Sequence, residues 1–311
     1  MKICYCSSAG GHLSELNEIA PFINCSYSYY VTVEKEDSRS ILVKKQTYFL
    51  EDTERSIKKS IINIYQSYRV FMKEKPDVVI TTGAGFALAT CIFAKMFGKK
   101  VIVIESLARV QKLSLFGKLV YHLSDLFFVQ WLGLVKKFKK AIYLGTIFSH
   151  RRKVYRKKKQ VFVTVGVSHF PFDRMIRLAK YIQKNNPEYR FIYQIGHANE
   201  IPSCKYERFI NHNRICKLYE QSEIVICHAG VGSIINALRR NCTVYLMPRR
   251  RKYLENSDDH QLEIVNAFCR RKLTYRLKPG IKLKSFDRKV RGHEGSNKII
   301  TKINGYLSRL T

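Results

Sequence analysis

Ile226-Cys227-His228-Ala229-Gly230-Val231-Gly232-Ser233-Ile234 decides the fold. An apolar run ends in a histidine and two glycines, and a helical pattern follows. That order spells a buried strand, a tight loop and a helix start. Such a loop leaves backbone N–H groups open toward an anion, which suits a diphosphate, and Ser233 adds a hydroxyl donor. Alone, the stretch also reads as a turn with a helix-capping serine. Two further loops, Thr164-Val165-Gly166-Val167-Ser168 and Gln194-Ile195-Gly196-His197, repeat the arrangement in the same part of the chain and weaken that plainer reading.

Outward from these loops, short apolar runs alternate with amphipathic stretches. The pattern predicts strands at 161–165, 190–194, 223–227 and 243–247, with helices near 172–184, 213–221, 232–240 and 259–270. Earlier in the chain it predicts strands at 2–6, 27–33, 77–81, 100–104, 126–129 and 141–144, and helices over 54–74 and 86–97. This is α/β alternation with parallel sheets. The hydrophilic run Arg151-Arg152-Lys153-Val154-Tyr155-Arg156-Lys157-Lys158-Lys159 reads as a linker. The expectation is two doubly wound Rossmann-like domains, 1–150 and 151–311. Such sheets bind ligands beyond the carboxyl ends of their strands, so two of them facing each other leave a central cleft.

Charge narrows the partners. The 311 residues carry a formal net charge of +32, from 56 Lys and Arg against 24 Asp and Glu. Residues 1–150 hold +9 of it and residues 151–311 hold +23. So basic a chain attracts nucleic acid, anionic lipid or phosphorylated substrates. The nine cysteines are scattered without a repeated CxxC and read as buried free thiols in a reducing compartment. Met1-Lys2-Ile3-Cys4-Tyr5-Cys6 reads as a strand, leaving no visible signal peptide. The charge-free run Val78–Ala94 is divided by Thr81-Thr82-Gly83-Ala84-Gly85 and is not expected to cross a membrane.

Other constellations carry possible chemistry. In Ser7-Ser8-Ala9-Gly10-Gly11-His12, two glycines turn the chain after a strand and His12 enters the first helical turn. The bland reading is a glycine turn beside a polar residue. Pro76–Gly85 is another strand and small-residue loop, for which close helix–strand packing suffices. Glu105 ends an apolar strand, as a proton acceptor or an ion-pair partner of Arg109. Lys112–Lys140 mixes Leu, Phe, Val and Trp131 with Lys, either core helices or an apolar membrane-facing patch with a basic rim. In Asn256-Ser257-Asp258-Asp259-His260-Gln261, the acids are N-cap candidates, while His260 and Gln261 suit sugar hydroxyls. No Asp-x-Asp chelating motif occurs.

With these motifs in order, the first half resembles the acceptor-side, membrane-anchoring subunit of the eukaryotic enzyme that adds the second N-acetylglucosamine to a dolichol-diphosphate sugar. The resemblance rests on Ser8-Ala9-Gly10-Gly11-His12, Pro76-Asp77-Val78-Val79, Glu105-Ser106-Leu107-Ala108-Arg109 and Leu113-Ser114-Leu115-Phe116-Gly117-Lys118-Leu119-Val120-Tyr121. The second half resembles that enzyme's donor-binding subunit through Phe162-Val163-Thr164-Val165-Gly166, Gln194-Ile195-Gly196, His228–Ile234 and Asp259-His260-Gln261. Bacterial paired exopolysaccharide glycosyltransferases share both halves, and MurG-type enzymes are more distant relatives. The resemblance implies a GT-B fold and inverting transfer of a sugar, GlcNAc in β-1,4 linkage first among them, from a UDP-sugar to a polyprenyl- or dolichyl-diphosphate-linked saccharide. Glucuronic acid and galactose are the alternative sugars.

By the same resemblance, His12 is the first base candidate and Glu105 the second. Gly10, Gly11 and Arg109 fall to the acceptor. Thr164, Gly166, Ser168, Gln194, Gly196, His228, Gly230, Gly232, Ser233, Asn236, His260 and Gln261 fall to the donor. Asn236 stands where MurG-type enzymes have an acid. No tightly bound cofactor or metal is implied by any visible motif. An anionic membrane surface is the expected partner, with the protein held peripherally on a cytoplasmic face, because the family's transmembrane anchor is not visible. The rival from another class is a basic nucleic-acid-binding protein, which gives no reason for three phosphate-type loops. An inactive scaffold recruiting a transferase is a second rival.

Overall fold

The computed structural model describes residues 1–53, 56–147, 155–285 and 295–310. The chain divides into two units, residues 1–149 with 292–311 and residues 150–291.

The first unit runs β1 (Lys2–Ser7), α1 (Gly11–Ile19), β2 (Tyr27–Val33), α2 (Glu36–Ile41), β3 (Thr47–Leu50), α3 (Ile57–Glu74), β4 (Val78–Gly83), α4 (Leu88–Met96), β5 (Lys100–Ile104), α5 (Leu115–Val120), β6 (Leu126–Phe128), α6 (Leu132–Val135) and β7 (Ala141–Ile142). The second runs β8 (Lys158–Thr164), α7 (Asp173–Lys184), β9 (Arg190–Gln194), β10 (Tyr206–Glu207), α8 (His212–Gln221), β11 (Ser222–His228), α9 (Val231–Arg239), β12 (Thr243–Met247), α10 (His260–Arg270) and β13 (Tyr275–Arg276). A last helix, α11 (Gly295–Leu307), follows.

Both sheets are parallel throughout. Their orders are β3-β2-β1-β4-β5-β6-β7 and β10-β9-β8-β11-β12-β13. A parallel strand is covered on both faces and therefore reads as an unbroken apolar run. Val78-Val79-Ile80, Val101-Ile102-Val103-Ile104 and Val161-Phe162-Val163 are such runs, and all are buried. In each sheet the chain winds one way from the first strand and the other way from the fourth. The switch points lie between β1 and β4 and between β8 and β11, where ligands of such sheets bind.

Two elements differ from the sequence reading. The reading gives 151–311 to the second domain, but α11 packs on the first unit. Its Ile299, Ile303 and Leu307 are buried in one cluster with Ile3, Leu13, Leu16, Ile102 and Phe128. Asn304 fastens it to the loop after α1, donating to the Phe22 carbonyl (3.0 Å) and accepting from the Asn24 N–H (2.9 Å). The expected basic linker also changes character. Arg151, Arg152 and Lys153 lie outside the described residues. Lys158 and Lys159 belong to β8. Lys157 turns inward, its Nζ donating to the Tyr219 carbonyl (2.9 Å) and contacting Cys242 Sγ (3.3 Å).

The stretch 112–140 resolves mostly into core. Phe116, Phe127, Phe128, Trp131 and Leu134 are buried, and Trp131 Nε1 donates to the Leu107 carbonyl (2.7 Å). Leu115, Leu119 and Leu132 stay exposed.

Truncating a buried aliphatic side chain of α11 is expected to destabilise the first unit. Ile303→Ala should cost about 2–5 kcal/mol in urea unfolding. Leu310→Ala, at an exposed position just beyond the helix, should stay within about 0.5 kcal/mol. Equal small effects would separate α11 from that core.

Candidate active site

At the switch point of the first sheet, the Ser8 N–H donates to the Gly83 carbonyl (3.0 Å) and ties the ends of β1 and β4 together. Gly10 takes φ +81°, a left-handed turn that favours glycine. It precedes α1, whose first turn carries no side-chain cap. A side chain at Gly11 would meet open space.

His12 is half-buried beside these glycines. Its Nδ1 lies 2.7 Å from the Thr82 carbonyl oxygen, and the Thr82 hydroxyl donates to the His12 carbonyl (2.7 Å). A carbonyl only accepts, so Nδ1 carries the proton and Nε2 keeps its lone pair. Burial lowers the ring's pKa. The Thr82 carbonyl opposes that shift, and the Arg109 charge adds to it. His12 is therefore a neutral imidazole with a basic Nε2, the state a general base needs. Arg109 itself is exposed.

Glu105 is held within its own loop. It is 3% exposed. Its Oε2 accepts from the Ser114 N–H (3.0 Å) and hydroxyl (3.1 Å), and Oε1 accepts from the Ser106 N–H (3.1 Å). Ser114 in turn caps α5 through the Gly117 N–H (2.8 Å). A Cβ on Gly117 would fall 2.0 Å from Oε2, so that position needs glycine. Burial raises the Glu105 pKa against these donors. The carboxylate closes the loop over 106–114.

A second buried acid, Glu15, escaped sequence reading. Its oxygens accept from the Ser106 hydroxyl (2.9 Å), the Leu107 N–H (3.2 and 3.3 Å) and Gln130 Nε2 (2.8 Å). Burial pushes its pKa up to about 7 despite those donors. Glu15 thus fixes the start of the Arg109 loop to the helix that carries His12. The available signal was an acid between Leu13 and Leu16, on the apolar stripe of α1.

In the second unit, His228 organises the switch point. A Cβ on Gly166 would fall 2.5 Å from the ring's Cε1, and one on Gly230 would fall 2.1 Å from Nε2. Both glycines leave room for this ring. Burial and the Arg249 charge drive the His228 pKa down to about 3, so it stays neutral. Gly232 differs, because a side chain there would meet open space. The start of α9 has no side-chain cap, and Ser233 lies within hydrogen-bonding reach of the Tyr219 hydroxyl.

Several predicted donor residues bond to the backbone of the loops. Thr164 and Gln194 are fully buried, and the threonine hydroxyl donates to the glutamine. Gln194 Nε2 donates to the Gly166 carbonyl (3.2 Å), and Thr164 accepts from the Gly166 N–H (3.2 Å), holding that glycine at φ +75°. Gly196, at φ +52°, is braced through its carbonyl by Arg208 (3.0 Å). Gln261 Oε1 accepts from the Ala229 and Arg249 N–H groups (3.2 and 3.1 Å), linking the ends of β11 and β12. Asn236 bonds along its own helix, to the Gly232 carbonyl (2.9 Å) and Arg240 (2.9 Å). His260 pairs with Asp258 at the surface. Ser168 is half-buried and lies on the loop after β8.

Arg249 was missed. It is 1% exposed, and its guanidinium donates to the carbonyls of Val165 (2.9 Å), Phe170 (2.8 Å) and Glu255 (3.0 Å) while lying over the Phe172 ring. A cavity of about 410 Å³ on the flank of α7 and β13, lined by Arg174, Met247, Tyr253 and Leu277 among others, includes none of the predicted donor residues. Among the described residues, no group of three or more His, Cys, Asp or Glu is placed to hold a metal ion.

Two parallel doubly wound units with glycine loops at both switch points define the GT-B class. Acinetobacter baumannii MurG shares the fold over 98% of this chain and 100% of its own, with a TM-score of 0.60 at 11% identity. UDP-GlcNAc 2-epimerase from Neisseria meningitidis, bound to UDP-GlcNAc, shares it over 97% and 99%, with a TM-score of 0.63 at 12% identity. Residues 160–291 match the glycosyltransferase family 28 C-terminal domain, and residues 32–147 match the family described as oligosaccharide biosynthesis protein Alg14 like. The rat UDP-N-acetylglucosamine transferase subunit ALG14 is 32% identical over 45% of this chain and 80% of its own length. The chain is a glycosyltransferase that belongs, through its first unit, to the Alg14-like family.

Acid should weaken the second unit through His228. Unfolded, the group titrates near 6.5; folded, near 3. The unfolded chain binds the extra proton in that window, so this contribution to stability is lost as pH falls from about 6.5 to about 3. Urea midpoints across this range should fall more steeply for the wild type than for His228→Gln. Parallel profiles would contradict an imidazole held neutral by the fold.

Proposed function

We propose that the protein transfers a sugar, N-acetylglucosamine first among the candidates, from a UDP-sugar to a lipid-diphosphate-linked saccharide, forming a β-1,4 bond with inversion. The observation that carries this reading is His12, neutral and with Nε2 unprotonated beside an open glycine turn. In the proposed step, the acceptor hydroxyl passes its proton to His12 Nε2 as its oxygen attacks the anomeric carbon. The bond from that carbon to the diphosphate breaks, and UDP leaves with the electron pair. Backbone N–H groups at the start of α9 would receive the diphosphate charge, preorganised and costing no reorganisation. His228, being neutral, would contribute a hydrogen bond and shape rather than charge. Thr164, Gln194 and Gln261 would act by holding those loops.

Support for the sugar comes from relatives described as UDP-N-acetylglucosamine transferase subunits and from a fold-mate bound to UDP-GlcNAc. A donor screen with UDP-GlcNAc, UDP-glucuronate and UDP-galactose on a polyprenyl-diphosphate acceptor tests the assignment. Preference for another donor would replace the sugar and leave the reaction class. Among the described residues no helix is long and apolar enough to cross a membrane. The reading includes peripheral attachment, on the cytoplasmic face, as the route to the lipid-linked acceptor.

His12→Ala should lower kcat by roughly 10²-fold or more while UDP binding is retained. The acid limb of kcat/KM should fall below the ordinary histidine value of about 6.5, because the base is neutral down to a lower pH. An acid limb above that value, or wild-type turnover in the variant, would remove His12 from the chemistry.

Gly232→Val tests the donor loop cleanly, since its side chain would point into open space and leave the fold intact. UDP affinity should drop at least about tenfold, or 1.4 kcal/mol, by calorimetric titration. Unchanged affinity would move the diphosphate elsewhere.

A further inference from the structure

The cavity of about 410 Å³ in the second unit has no part in the proposed transfer. Residues from α7, the end of β12, the loop after it, α10 and the end of β13 line it, and none of the residues assigned to the donor does. Its volume and lining are those of a small-molecule pocket, mostly apolar with a few polar groups. Leu178, Met247 and Leu277 form apolar wall, and Met247 and Leu277 are buried. The Leu277 N–H donates to the Leu246 carbonyl (2.8 Å), which fixes that part of the wall to β12.

Charge narrows the ligand. Arg174, Arg250 and Arg276 share the lining, and among the described residues no acid does. The three differ in what already engages them. Arg174 is neutralised, its Nε and Nη2 donating to the buried Glu255 carboxylate (2.8 and 2.6 Å). Arg250 meets Asp259 through Nε (2.9 Å), in a pair open to solvent and therefore weak. Arg276 donates through Nη2 to the Asn266 side chain, an amide that brings no charge. Arg250 and Arg276 are thus the two that can turn to an anion. A phosphate monoester offers about two negative charges and three acceptor oxygens, more than one carboxylate does, and arginine forks match its geometry. A bare inorganic anion would leave the apolar wall unfilled. The ligand that uses the whole cavity carries a phosphate at one end and a hydrocarbon chain or ring at the other.

The lining is bonded to the donor loops. Arg174 Nη2 donates to the Pro248 carbonyl (2.9 Å). The next residue, Arg249, gives its N–H to Gln261 Oε1, which also accepts from Ala229, one residue before Gly230. The Arg249 guanidinium reaches the Val165 carbonyl, one residue before Gly166. A shift of Pro248 is therefore felt at both glycine loops through Arg249.

We propose that this cavity is a second ligand site, taking a small amphiphilic phosphate whose phosphate sits on Arg250 and Arg276, and that its occupancy alters UDP affinity through Pro248 and Arg249. Binding at the cavity is independent of the transfer reading, and the effect on UDP rests on it.

The test is calorimetric titration of the full chain at saturating UDP, with geranyl phosphate and adenosine monophosphate as probes and geraniol and inorganic phosphate as controls. At least one probe should bind one to one, at least about tenfold tighter than either control. Which probe binds tighter tells a hydrocarbon chain from a ring. Arg276→Gln, with an unchanged thermal transition, should weaken that probe at least about tenfold. UDP affinity should differ at least about fivefold between the chain with and without the probe. Three results would overturn the site: neither probe tighter than the controls, full competition by UDP, or equal affinity in Arg276→Gln. Full competition would put the probe in the donor loops, and equal affinity would put it on the first unit, where the lipid-linked acceptor is assigned. Equal UDP affinity with and without the probe would overturn the coupling. A chain that binds the probe and no UDP would remove the donor assignment while the cavity result stands.

Discussion

A parallel sheet covered on both faces sends the carboxyl ends of all its strands to one edge, and the glycine loops of both units follow from that constraint. Neither face of such a sheet is open to a ligand, so only the edge remains. At the edge, two neighbouring strands whose connections leave in opposite directions open a gap in the backbone. Both units of this chain contain that arrangement, after β1 and β4 and after β8 and β11. His12 and His228 sit on opposite sides of their switch points, His12 after the first strand of its sheet and His228 at the end of the fourth strand of its own.

Loops at these carboxyl edges are kept in shape by buried polar groups. Glu105 and Glu15 serve the first unit, and Arg249, Thr164, Gln194 and Gln261 serve the second. Most of their bonds go to main-chain N–H or carbonyl groups of loops. This is the expected solution where a loop turns away from the ladder and its backbone groups still need partners. It also divides the work at each edge. Charged and amide side chains hold the loop from beneath, while the glycines and the neutral imidazoles line it above.

The sequence revealed the scaffold better than the support. Strands such as Val78–Gly83 and Lys100–Ile104 announce themselves because burial on both faces demands apolar side chains throughout. The edge strands Thr47–Leu50, Tyr206–Glu207 and Tyr275–Arg276 are short and partly exposed, so their pattern is faint. The glycine loops were legible from their place after apolar runs. Arg249 was not, because it opens the run Arg249-Arg250-Arg251-Lys252 and no local feature marks which of four cations goes inside. Glu105 was found by its position, but its partners were not. A strand-end carboxylate looks the same in sequence whatever its partners, and the Ser114 and Gly117 contacts come from chain segments the local pattern does not link to it.

The return of α11 makes the second unit an insertion within the first. The polypeptide leaves the first unit near residue 149 and re-enters it near residue 292. Cutting the gene once, near that first crossing, would not yield two complete halves: the front piece would lack the helix that seals Ile3, Leu16 and Ile102. The back piece would carry an apolar face belonging to its sibling. Two polypeptides made by such a cut would therefore be bound to one another by an exchanged helix, an obligate complementation written into the order of the chain.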